Sequence, residues 1–81
     1  MDEAVDATDL ERIRSAIKDT SAGLGAIEVH DLRTRHAGPV TFIEFHLIVD
    51  SDMTVRESHV ICDRIEDALK AEIPSVRVII H

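Results

Sequence analysis

The chain has 81 residues, 44% hydrophobic, 31% charged and 2% aromatic, with a formal net charge of −7. Such a length makes one small domain that buries only about 60% of its unfolded surface, so a metal or a partner is an expected source of added stability. The acidity argues against nucleic acid and anionic membrane surfaces as partners, the lone Cys62 excludes an intrachain disulfide framework and fits a reducing compartment, and no apolar run approaches the ~20 residues of a membrane span, so direct membrane insertion is not expected.

Residues 1–7 are acidic and aperiodic and read as a linker. Thr8, Asp9, Leu10 and Glu11 have capping-box form. Leu10, Ile13 and Ile17 follow at helical spacing and predict a helix that ends near residues 19–21, ahead of Gly23 and Gly25. A long strand is expected from Ala26 to Arg35, with Ile27 and Val29 on one face and Glu28, His30, Leu32 and Thr34 on the other. Past His30 the first face would carry Asp31, Arg33 and Arg35. No core accepts that set, so either the strand projects beyond the helices or a bulge shifts its register. Ala37, Gly38 and Pro39 supply a turn.

From Val40 to Asp50 the alternation predicts a strand with Thr41, Ile43, Phe45, Leu47 and Val49 facing the core and Val40, Phe42, Glu44, His46 and Ile48 facing away. Asp50, Ser51 and Asp52 break it. Thr54 and Glu57 form a second capping box, opening a helix that runs to Glu72. Val55, Cys62, Ile65 and Leu69 read as its buried stripe, flanked by Ser58, Ile61 and Ala68. Ile73, Pro74 and Ser75 end it. A last strand, Val76 to His81, sets Val78 and Ile80 against Arg77, Ile79 and His81.

The order α-β-β-α-β, with a right-handed crossover into the last strand, predicts an α+β, ferredoxin-like sandwich over residues 8–81, one strand short of the full pattern. Both helices then cover one face of a three-stranded sheet. The uncovered face carries Leu32, Phe42, Ile48 and Ile79 together with His30, His46 and His81.

Taken singly, each of those histidines is more simply a surface or half-buried residue. Sharing a face makes them a candidate metal site, because neutral imidazole suits divalent transition metals and neighbouring strands lie only ~5 Å apart. Zn²⁺ would need a fourth ligand: water, a carboxylate or a group from another chain. A face both apolar and metal-ligating is expected to be a homodimer interface with metal in or beside it. His59 has Cys62 and Asp63 at i+3 and i+4. It is a candidate ligand donated by the partner chain, whereas Cys62 is more simply a core residue and His36 a solvent-exposed turn residue; both are lesser metal candidates. A Gly-rich phosphate loop, HExxH, CxxC and a nucleophile–base pair are all missing from the sequence, so an enzyme is not expected.

The run from His30 to Arg35, then Gly38 and Pro39, then Phe45, His46 and Leu47 with Val49 and Asp50, then Glu57, Ser58 and His59 with Asp63 to Glu66, and finally Val78 to His81, resembles the cytoplasmic C-terminal domain of cation diffusion facilitator transporters. The resemblance covers essentially the whole chain, and residues 1–7 resemble the linker after the last transmembrane helix. It implies a metallochaperone-like fold and a cytoplasmic domain of a bacterial inner-membrane Zn²⁺ or other divalent cation exporter. It also implies a V-shaped homodimer, working with a membrane domain, that closes on metal to regulate transport. By position the family's ligands fall on His30, His46 and His81, with His59 supplied by the other subunit. Many relatives carry a ligand Asp two residues beyond the terminal His; this sequence stops at His81. The alternatives are a stand-alone metallochaperone or metal sensor, and a metal-independent dimerisation module.

Overall fold

The computed structural model describes residues 7–24 and 26–81, and the side chains of residues 7–24 and 28–81. Of the linker expected over residues 1–7, residues 1–6 fall outside that description, as does the core-facing place expected for Ile27, while Ala7 is the first residue of a helix and not linker. The elements are α1 (Ala7–Ala22), β1 (Ala26–Ala37), β2 (Val40–Val49), α2 (Val55–Glu72) and β3 (Val76–Ile80), in the expected order. The sheet order is β1-β2-β3, with β1 antiparallel and β3 parallel to the central β2.

The core lies between the sheet and the two helices. Ile13 and Ile17 of α1, Ile43 and Phe45 of β2, Ile61, Ile65 and Leu69 of α2 and Val76 of β3 are buried together. Helix α1 begins at Ala7, a strong helix former, so Thr8 lies inside the first turn and does not cap it. The second capping box is formed. The Glu57 amide donates to Thr54 Oγ1 at 3.1 Å, and the Thr54 hydroxyl donates to Glu57 Oε1 at 3.1 Å. At the other end the Ile73 amide bonds the Leu69 carbonyl at 2.8 Å.

The buried stripe of α2 is rotated from the expected one. Ile61, Ile65 and Leu69, at i, i+4 and i+8, are buried, while Val55 is 73% exposed and Cys62 only half-buried. Val55 sits in the first turn, where the helix has just left the end of β2. Arg12 ties the two helices together, with Nε and Nη2 donating to Glu72 Oε2 at 3.2 and 3.0 Å; so exposed a pair contributes at most about 1 kcal/mol.

The bulge settles the conflict in β1. His30 pairs with His46, but Arg33 pairs with Glu44, so β1 holds one more residue than β2 between those rungs. Asp31 takes φ 55° there, a left-handed conformation that Asp tolerates better than most residues. The extra residue reverses the facing of everything after it. Leu32 packs against the core and not on the open face as expected, and Thr34 and His36 pair with the core-facing Ile43 and Thr41. Arg33 and Arg35 turn outward beside Glu44 and Phe42. His36 is therefore a half-buried strand residue, not an exposed turn residue; its Nδ1 lies 3.0 Å from Oγ1 of the buried Thr41. The turn itself is made by Gly38, at φ +59°, and Pro39.

Candidate metal centre

Three histidines lie abreast across the uncovered face. His30 and His46 are Cα partners in the antiparallel ladder. His81 follows β3, its amide donating to the Phe45 carbonyl at 2.9 Å and its carbonyl accepting from the Leu47 amide at 2.8 Å. Those two bonds bracket His46 and place His81 beside it. The His46 and His81 ring centroids are 4.9 Å apart, tilted by 36°.

Each outer imidazole is held by a carboxylate. His30 Nε2 lies 2.6 Å from Glu28 Oε2, and His81 Nε2 lies 2.8 Å from Glu44 Oε2. Glu28 and His30 are two residues apart on one strand and so share a face. Glu44 reaches His81 from the neighbouring strand. The hydrogen bond from His81 is the largest cause holding the Glu44 carboxyl below its ordinary value. The nearby Arg33 and His46 add to it, and desolvation opposes it.

Below the histidine row the same face carries Arg33, Glu44 and Ile79 abreast, then Arg35, Phe42 and Arg77. The Arg35 guanidinium lies 4.3 Å from the Phe42 ring centroid, within cation–π range. Ile79 and Ile48 are 51% and 41% exposed. Apolar side chains are thus interleaved with charge on a face that, among the described residues, no helix covers.

The remaining candidates lie apart from the row. His59 is exposed on α2, in the layer behind the sheet but toward the end where β2 and β3 also finish. His36 faces the core several rungs away. Cys62 is half-buried on α2, and burial, aided by the Asp63 carboxylate, pushes its thiol above the ordinary value, the opposite of what a thiolate ligand needs. Among the described residues, no three His, Cys, Asp or Glu side chains stand close enough together to hold a metal ion. The row supplies the right donors side by side without gathering them. Sequence reasoning did not single out Glu28 and Glu44. The two-residue spacing signals Glu28, whereas Glu44 depends on the parallel register of β2 and β3.

Fold and face together define a small two-layer α+β domain with an open, imidazole-bearing sheet. Comparison with known proteins gives the same class a family. The chain matches the family described as "Cation efflux protein, cytoplasmic domain" over residues 5–81. It is 38% identical over 81 residues to the cation-efflux pump FieF of Shewanella oneidensis, covering 100% of this chain and 26% of the pump. Against FieF of Yersinia enterocolitica it is 40% identical over 57 residues, 70% of this chain and 19% of the pump. Among solved structures, the Zn form of CzrB superposes with a TM-score of 0.86 at 46% identity, covering 100% of this chain and 90% of that chain. The metal-bound C-terminal domain of the CzcD transporter from Thermotoga maritima superposes with a TM-score of 0.74 at 24% identity, covering 95% of this chain and 91% of that chain, a likeness of fold.

The chain belongs to the family of cytoplasmic domains of cation efflux proteins. It spans between 19% and 26% of the length of these two pumps, and among the described residues no helix is long and apolar enough to cross a membrane.

Proposed function

We propose that this domain is the metal-responsive regulatory part of a divalent cation exporter, pairing with a second copy through its uncovered sheet face and binding Zn²⁺, or a similar ion, there. The observation that carries the reading is the row His30, His46 and His81. Three imidazoles with carboxylate neighbours are a donor set suited to Zn²⁺. The CzrB domain it resembles at 46% identity is known in a Zn form.

The face fits pairing because Ile48 and Ile79 are apolar side chains that the described residues leave exposed. His59, exposed near the same end of the molecule, is the residue we assign to the partner's site, supplying a donor that one chain's row lacks. A bound cation supplies positive charge and a bridge between the two chains. This chain's residues do the rest: β1, β2 and the residue that follows β3 each set one imidazole on the same face, Glu28 and Glu44 orient two of them, and the net charge of −7 on each copy repels the pair when no cation offsets it. Paired and splayed arrangements then differ in affinity for metal, and binding shifts the population toward the paired one. Low pH weakens binding, because imidazole must be deprotonated to ligate.

Calorimetric titration of Zn²⁺ into the chelator-treated chain tests the reading. Micromolar or tighter binding, weakened at least tenfold by His46→Ala, is expected. Binding indifferent to His46→Ala would remove the site from this face.

A further inference from the structure

The two carboxylates do more than neighbour the histidines. We infer that Glu28 and Glu44 are positioning residues that fix the outer imidazoles of the row so that His30 and His81 ligate a cation through Nδ1. The inference rests on the metal-site reading above and adds to it which atoms bind and what aims them.

Both outer rings are engaged through the same atom: Nε2 of His30 at 2.6 Å from Glu28 and Nε2 of His81 at 2.8 Å from Glu44. An ionised carboxylate only accepts, so Nε2 carries the proton in each pair. In a neutral imidazole the second nitrogen, Nδ1, then holds the free lone pair. Metal-ligating histidines generally donate their other N–H to a carboxylate or carbonyl, which sets the tautomer, fixes the ring and raises its basicity. Here that arrangement is built twice, once on each side of His46, from two different strands. The Glu28 pair lies along β1, and the Glu44 pair joins β2 to β3. Both carboxylates are themselves well exposed, 57% and 44% by side chain, so neither bond is a by-product of core packing.

The test is binding together with atom-resolved spectroscopy on the same samples. Cd²⁺ enriched in ¹¹³Cd and ¹⁵N-labelled protein report directly which ring nitrogen is bonded, through the ¹¹³Cd–¹⁵N coupling. Coupling at Nδ1 of His30 and His81, with Nε2 still protonated, is expected. Glu44→Ala and Glu28→Ala should each lower Zn²⁺ affinity about 10- to 100-fold, the usual cost of losing such a partner. Glu44→Gln, whose carbonyl still accepts the Nε2 proton, should recover part of the loss, which a role through net charge alone would not give. Coupling at Nε2 of either ring, or alanine variants that bind like the wild type, would overturn the inference while leaving a histidine site in place. A wild-type chain that binds no metal, or a His46→Ala variant that binds equally well, would overturn both.

Discussion

The two faces of one sheet divide the work of this domain. On the covered face Ile43, Phe45 and Val76 are buried against Ile13, Ile17, Ile61, Ile65 and Leu69. On the open face the same strands present His30, His46, His81, Glu44, Arg33 and Arg35, with Ile79 and Ile48 about half exposed. Alternate residues of a single strand thus face opposite ways, into the core on one side and, in the proposed function, toward a cation and a second copy on the other. Changes on the first face should act on folding and those on the second on binding.

The sharpest break in that division is Phe45→Ala. Phe45 is fully buried, and truncation should cost about 3–5 kcal/mol, enough to leave a small domain of marginal stability largely unfolded. Denaturant unfolding followed by circular dichroism would show it; a loss below 1 kcal/mol would mean the core is not organised around this ring. Next comes the helix cap. Thr54→Ala removes the bond to the Glu57 amide and should cost about 0.5–2 kcal/mol, read from the same curves without any change in metal affinity.

The open face should answer differently. Ile79→Lys should leave stability within about 0.5 kcal/mol of the wild type while weakening self-association in sedimentation experiments. Unchanged association would place the pairing surface elsewhere. The smallest expected effect is electrostatic. Because His81 holds the Glu44 carboxyl below its ordinary value, the pair adds stability above the unfolded carboxyl's pKa of about 4.3 and loses it as pH falls through the lower folded value. The stability gap between wild type and Glu44→Gln should therefore be present at neutral pH and close in acid. A gap independent of pH would contradict the pairing.

Much of this was legible in the sequence. Period-two alternation in β2, the Thr54 capping box and the two short apolar stripes determine the element order and which face the helices cover. The conflict past His30 is readable too, since Asp31, Arg33 and Arg35 cannot share a core face, but the sequence leaves open whether the strand projects beyond the helices or bulges, and the pairing register shows the bulge. What the bulge does downstream was not readable without the pairing partner. One extra residue sends Leu32 and Thr34 inward and both arginines outward, and it puts His36 on the core side. The phase of α2 is not legible in the sequence, because Val55, Ile61 and Cys62 are all apolar. The first-turn position leaves Val55 in solvent, and only the packed helix shows Ile61 to be the inward residue. The histidine row itself followed from strand period alone, whereas the Glu44 to His81 bond joins residues 37 apart in sequence and requires the β2–β3 register.

Whether the histidine row of the open face takes the metal is read from the long-range ¹H–¹⁵N imidazole spectrum of the protein as Zn²⁺ is added. The ring nitrogens of His30, His46 and His81 are expected to shift together, joined by His59 when the chain pairs, while His36, facing the core beside Thr41, stays where it is. Shifts centred on His36, or a spectrum that does not change, would contradict it.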